Sequence, residues 1–251
     1  MRIRATCVLG PIVAGVVAGC AGHAKYDPFL VPQERIYGTV RTIALTPVLA
    51  PSELGSVDPR RGRFAALITA QLTAAGFTVV PPEVSDSIWT RLSDSLGGIY
   101  NAGTGERDTI KLNTARALAM SELQARFHAD AWLHAYIVFS DAKFDEGDAQ
   151  WDGAKQSYQS FGKKFLTSLF GGGTYGKTAA LSLWVGVEDM HGKELYENEG
   201  GLQLYMIPHG KDWVKIQPAE LYADSTRNST AVRLALEPLV TRTAKKAASP
   251  S

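Results

Sequence analysis

Cysteine is nearly absent from this chain, with two in 251 residues. That excludes a disulfide framework and a cysteine-rich zinc site. An excess of one charge is also missing. Lys and Arg total 26 against 25 Asp and Glu, for a formal net charge of +1, so the chain has no strong overall pull toward nucleic acid. No apolar run reaches the roughly 18 residues of a spanning helix. The composition does not fit a disordered chain either: 45% of residues are hydrophobic and 20% charged, enough to build a core. Local catalytic spacings are missing too. His23, His128, His134, His191 and His209 form no H-x-H or H-E-x-x-H pair, which leaves zinc without local support. No G-x-S-x-G elbow occurs. A Ser/His/Asp set assembled across the fold would leave no local trace. His134 falls on an expected buried strand, where a hydrogen-bonded structural role is the ordinary one.

What is present begins at the amino terminus, MRIRATCVLGPIVAGVVAGC. Arg2 and Arg4 form a positive start, Ala5 to Ala18 is almost wholly apolar, and small residues precede Cys20. Charge, length and small-residue chemistry together read as a signal peptide over residues 1–19. Val17-Ala18-Gly19-Cys20 resembles the bacterial lipobox. The resemblance implies a diacylglyceryl group on the Cys20 sulfur, cleavage before Cys20 and acylation (palmitate or a similar chain) of the new amino group. Each buried methylene contributes about 0.8 kcal/mol, so two or three chains anchor a protein durably. Position 21 is Ala. In the enteric sorting rule that this resembles, Asp there retains a lipoprotein in the inner membrane, so Ala21 points to the outer membrane, with the protein facing the periplasm. Cleavage removes two arginines and takes the formal charge from +1 to −1. Cys7 leaves with the signal, so the fold has to hold without an internal disulfide.

The mature chain reads as one α/β domain, a mixed sheet with helices packed on it and a late β-hairpin. Residues 20–38, with Pro28 and Pro32, read as a lipidated tether, 39–243 as the domain and 244–251 as a polar, frayed tail. A first strand is expected within Val40 to Val48 and a helix carrying Phe64, Leu67, Ile68, Leu72 and Ala75, with Gly76 at its C-terminal cap. A strand follows from Phe77 to Val80, then helices over 83–96 and about 109–127, the first with Ile88, Trp89 and Leu92 on one side. Residues 131–139 are apolar on both faces, which predicts a central strand. Leu181, Leu183, Val185 and Val187 alternate, His191-Gly192 makes a turn, and the chain returns from Leu195 to Tyr205 with a possible bulge at Gly200-Gly201, forming a hairpin. Val232, Leu236, Leu239 and Val240 mark a final helix.

The order of IALTPV, AAGFTVVPPEVSDSIW, FHADAWLHAYI and LSLWVGVEDMHGKELY resembles a group of bacterial envelope lipoproteins. Among them are uncharacterised surface lipoproteins with an A-D-x-x-L strand start, here Ala129-Asp130 to Leu133, and a late D-x-x-G-x-x-L hairpin, here Asp189, Gly192 and Leu195. The fold resembles the amino-terminal domain of TolB, the curli secretion lipoprotein and the lipoprotein activators of penicillin-binding proteins. These are fold motifs of non-enzymes. The resemblance implies architecture and protein binding, and it carries over no site residues.

Three segments approach chemical motifs. Gly171 to Thr178 matches the P-loop letters, but a P-loop needs a strand before it and a helix after it. The residues after Thr178 alternate as a strand, which argues against nucleotide. Asp148 to Gly153 approaches an EF-hand loop, but Gln150 and Gln159 stand where carboxylates are needed, so an acidic, solvated turn is expected. Lys155 to Phe170 is amphipathic. Tyr158, Phe161, Phe165, Leu166, Leu169 and Phe170 share one side of a helix, with the lysines off it. That side is either core, the commoner meaning of such a stripe, or a partner- or membrane-docking surface. The resulting expectation is a non-catalytic, lipid-anchored binding or scaffolding protein of the envelope, with no cofactor, no metal, no nucleic acid and an envelope protein as partner. The alternatives are a subunit of a curli-channel-like secretion assembly and a periplasmic hydrolase with a site built in three dimensions.

Overall fold

The computed structural model describes residues 26–55, 58–145, 148–157, 176–209 and 212–241. The lipobox with Cys20, the amphipathic stripe from Tyr158 to Phe170 and the glycines at 171–173 lie outside them. The elements are α1 (Gln33–Thr39), β1 (Thr42–Leu45), a 3-10 turn (Ser52–Leu54), α2 (Asp58–Ala74), β2 (Thr78–Val80), α3 (Pro82–Ser95), α4 (Thr109–Phe127), β3 (Ala131–Asp145), β4 (Asp148–Trp151), β5 (Ala154–Ser157), β6 (Gly176–Asp189), β7 (Glu194–Leu204), β8 (Met206–His209), β9 (Asp212–Lys215) and α5 (Ser225–Val240).

A mixed sheet forms the centre. β1 lies between β2 and β3, parallel to both, while β6 runs antiparallel to β3 over its length and β7 antiparallel to β6. β3 is therefore central, as its two apolar faces predict. Its far end pairs with β4, and β4 with β5. The β4–β5 hairpin turns back across the sheet: Trp151 Nε1–H donates to Leu181 O at 3.1 Å and Gly201 N–H to Asp152 O at 2.9 Å. β8 and β9 pair separately.

Local chemistry sets the element ends. Gly76, at φ 90°, closes α2, with Phe77 N–H reaching Leu72 O at 3.0 Å, the expected Schellman geometry. Pro82 opens α3, where its missing N–H is no loss. Asp108 caps α4 by accepting from Lys111 N–H, and Asp224 caps α5 by accepting from Thr226 and Arg227 N–H. The A-D-x-x-L and D-x-x-G-x-x-L segments have structural duties. Asp130 accepts from the N–H groups of Arg41 and Thr42 at 2.8 and 2.9 Å, which ties the start of β3 to β1. Asp189 accepts from His191 and Lys193 N–H, both at 2.9 Å, which shapes the hairpin turn, with Gly192 at φ 80°.

The main core lies between one sheet face and α2 with α5. Leu181, Leu183, Val185 and Val187 are buried there with Phe64, Ile68, Leu72, Val232 and Leu236. The apolar face of the late hairpin is thus covered by helix rather than presented to lipid. On the opposite face, α3 and α4 pack a smaller core of Ile88, Leu92, Met120, Leu123 and Trp132 against Ala44 and Val80.

Two expectations need correction. The tether does not run to residue 38. α1 packs Ile36 into the main core, and Phe29 and Leu30 already sit against β7, with Leu30 N–H donating to Leu195 O at 3.0 Å. Pro32 immediately precedes α1; prolines that suggested an extended tether are compatible with a helix start, because the ring fixes φ near the helical value. The segment 148–153 is not a solvated loop. It is a strand and a turn, with Trp151 and Ala149 buried.

The same turn brings carboxyls together. Asp152, at φ 40°, accepts from Ser182 Oγ–H at 2.5 Å, and Ser140 Oγ donates to Ser182 Oγ at 3.0 Å. Glu199 sits beside Asp152. Burial first, then the charge of Asp152, pushes its pKa up to about 7 from the ordinary 4.5. A folded value above the unfolded one stabilises the protonated fold below about pH 4.5, and this contribution is lost as the pH rises through 7. Because water reaches the pair, the loss should be about 1 kcal/mol, less than the shift alone implies. Thermal melting between pH 4.5 and 8 should show it, and Glu199→Gln should flatten the profile; an unchanged slope in that variant would remove Glu199 as its source.

Candidate functional site: an aromatic cleft on the open half of the sheet

The α3–α4 layer is narrower than the sheet. It covers β2, β1 and the start of β3, and between it and the β4–β5 hairpin part of the same face of β6 and β7 stays open. The gap is a cleft of about 570 Å³, floored by β3, β6 and β7 and walled by α3, α4 and the 97–108 loop. That volume lies within the range of small-molecule sites, about 300–1,000 Å³.

Strand alternation places its floor. Leu133, Ala135 and Ile137 point into the main core, so Trp132, His134 and Tyr136 point into the cleft. β6 does the same with Trp184, Gly186 and Glu188, which face His134 and its neighbours across the β3–β6 ladder. The result is a row of rings. Trp89 to Trp132 is 6.5 Å between centroids, Trp132 to His134 4.9 Å, His134 to Tyr136 6.5 Å and Tyr136 to Trp184 5.5 Å. Gly186 makes room for the row. A Cβ there would stand 2.2 Å from the tip of the Trp184 indole, which lies over it.

Charge is concentrated at one point of the floor. Glu188 is 3% exposed. It accepts from His134 Nε2–H at 2.8 Å and forms an ion pair with Arg116 of α4. A buried carboxylate needs such partners. Tyr136 has its phenol held above the ordinary 10, by burial first and then by the Glu188 charge. Arg107, Asp86, Glu194 and Glu197 line the remainder.

Two lining groups stand out by having nothing to bond. Among the described residues, the indole N–H of Trp132 and the hydroxyl of Ser85 are buried without a hydrogen-bond partner, in residues 3% and 1% exposed. Leaving such groups unpaired costs about 1–3 kcal/mol each. Ser85 is therefore not bonded to His134, and His134 Nε2 is engaged by Glu188, so among the described residues the cleft holds a His–carboxylate pair without a hydroxyl on that nitrogen. Among the described residues no group of His, Cys, Asp and Glu is arranged to hold a metal ion. No described helix is long and apolar enough to cross a membrane. The P-loop letters end in β6, which begins at Gly176, so a strand stands where phosphate binding needs a helix.

Sequence reasoning singled out His134, as a hydrogen-bonded structural residue, and Trp89, on a helix stripe, but joined no residues into a cleft. The signal was present in the even positions: Trp132, His134 and Tyr136 on one strand, Trp184 and Glu188 on another. Read together they form a polar-aromatic face, but pairing two strands far apart in sequence requires the register. The acidic residues Glu188, Glu194 and Glu197 of the late hairpin line the cleft.

No protein-family model matches the chain, and no curated protein matches it either. Among solved structures, the lipoprotein GNA1162 from Neisseria meningitidis is similar at 17% sequence identity and a TM-score of 0.33, over 64% of this chain and 81% of that chain. A likeness this loose carries no argument about site or activity.

Proposed function

We infer that this protein is a lipid-anchored, non-catalytic binding module of the bacterial cell envelope, exported by residues 1–19, held to the outer membrane through Cys20 and presenting the aromatic cleft to a ligand in the periplasm. The observation that carries the binding role is the cleft itself, ring-walled and holding two buried polar groups with no partner. Glu188, which would orient a base, is also tied to Arg116. Envelope proteins are the expected partners of the outer surface, in line with the resemblance of the motifs at Asp130 and Asp189.

The anchor reading adds geometry. Six residue steps separate Cys20 from Tyr26, and an extended chain spans at most 3.3–3.6 Å per residue, so the Cα of Tyr26, whose hydroxyl donates to Glu197 O on the edge of β7, lies within about 22 Å of the Cα of Cys20. Leu30, on that edge, also lines the cleft.

Cys20→Ala tests the address. The variant should keep the mass of the unprocessed chain, incorporate no labelled palmitate and leave the outer-membrane fraction. A variant that matured to the same mass and still fractionated with the outer membrane would contradict the lipoprotein reading.

A further inference from the structure

The geometry points to a neutral saccharide as the ligand of the aromatic cleft. This rests on the reading of the cleft as a binding site and names the chemistry it accepts. Four observations carry it. The first is the ring row, in which Tyr136, 36% exposed, and Trp184 continue the line of Trp132 and His134 along the cleft floor. Ring faces carry negative charge and attract the weakly positive C–H face of a sugar ring, while hydroxyls at the sugar's edge stay free for hydrogen bonds.

The second is the pair of buried orphans. Trp132 Nε1 is a donor only, and the Ser85 hydroxyl both donates and accepts. A polyol supplies acceptors and donors together. A site with unpaired buried polar groups discriminates strongly against molecules that cannot pair them.

The third is charge. Arg116 is neutralised by Glu188, which leaves Arg107 against Asp86, Glu194 and Glu197, a lining that opposes an anion. Guanidinium and carboxylates side by side offer strong hydrogen bonds to a molecule with many hydroxyls.

The fourth concerns the backbone. An extended peptide is commonly read by adding a strand to a sheet edge. The β7 edge beside the cleft is already occupied: Leu30 N–H donates to Leu195 O at 3.0 Å, and Glu197 N–H to Pro28 O at 2.9 Å. What the cleft offers is side chains on a sheet face, which suits a ring better than a strand.

The test uses the mature lipoprotein in detergent and saturation-transfer NMR from its aromatic protons, with tri-N-acetylchitotriose, maltotriose and cellotriose as probes. At least one should show saturable transfer to its ring C–H protons. Tyr100→Ala, on the exposed loop wall, and Trp184→Ala should each weaken that affinity tenfold or more. Gly186→Ala should do the same by displacing the indole, and since only a side-chain tip is in its way it should leave melting nearly unchanged. Tetramethylammonium chloride and glucose 6-phosphate provide the charged arms.

If no saccharide binds and either charged probe saturates with the same sensitivity to Tyr100→Ala, the saccharide assignment fails and the binding-site reading stands. Saccharide transfer unaffected by all three cleft variants also overturns the assignment. If nothing binds, and native mass spectrometry of the protein purified from cells shows no small molecule retained, both readings fail.

Discussion

Gly200→Ala is expected to destabilise the protein by about 3 kcal/mol or more, the upper range for overpacking a core. Its cause is backbone rather than side-chain crowding. α5 crosses β7 so closely that a Cβ on Gly200 would lie 2.0 Å from the carbonyl oxygen of Ala231 and 2.8 Å from the amide nitrogen of Ala235. Neither atom can swing aside as a side chain can. The helix would have to lift, and with it the contacts of Val232 and Leu236 and the Tyr196 hydroxyl that donates to Ala235 O at 2.5 Å. For a domain of this size the melting temperature should drop by about 10 °C. Gly38→Ala is the contrasting control. Nothing lies within 4 Å of its Cβ position and it sits inside α1, so the change should stabilise by up to about 0.5–1 kcal/mol through helix propensity. Chemical denaturation of both variants decides the matter; equal stability would mean that α5 does not seat on Gly200.

Arg116→Ala should cost about 3 kcal/mol, because it leaves the Glu188 carboxylate buried with one partner fewer. The carboxylate then depends on His134 Nε2–H, at 2.8 Å, alone. The paired change Arg116→Met with Glu188→Leu should recover most of the loss, since it removes the buried charge instead of stranding it. Arg116 itself is 45% exposed, so a purely superficial ion pair would instead show less than 1 kcal/mol for the single variant. Urea melts of the two variants separate these outcomes. The paired variant should also hold saccharides more weakly, as both residues line the cleft.

Much of the scaffold follows from local pattern. The helix expected over about 109–127 is α4, Thr109–Phe127, because its cap, Asp108, and its apolar stripe are both written in adjacent residues. The strand starting at Ala131 and the late hairpin turn at His191-Gly192 are equally local. Where the reading went astray, tertiary packing outweighed a local cue. Prolines near the amino terminus suggested a tether, but Val31 and Ile36 found the core. Acidic residues at 148–152 suggested a solvated turn, but Trp151 pulled the strand inward. Gly200-Gly201 suggested a bulge. The ladder does bulge beside them, with Leu202 the extra residue there, and the glycines in addition serve the close approach of α5 at Gly200 and of the β4–β5 hairpin at Gly201.

The sequence by itself determined the class of fold, the succession of β1, α2, β2, α3, α4, β3, the late hairpin of β6 and β7, and α5, and the expectation of an exported, lipid-bearing chain, because each rests on neighbours along the chain: periodicity, caps, turn residues and the run before Cys20. Only the tertiary structure decided where a ligand could sit. The cleft exists because two helices cover part of a wider sheet, and its rings come from α3, β3 and β6, which meet through a register that no local pattern encodes. The same holds for its chemistry. Trp132 and Ser85 are ordinary residues in sequence; they become unpaired polar groups in a cleft once the sheet and α3 enclose them, where water's hydrogen bonds are lost and the protein supplies none in return.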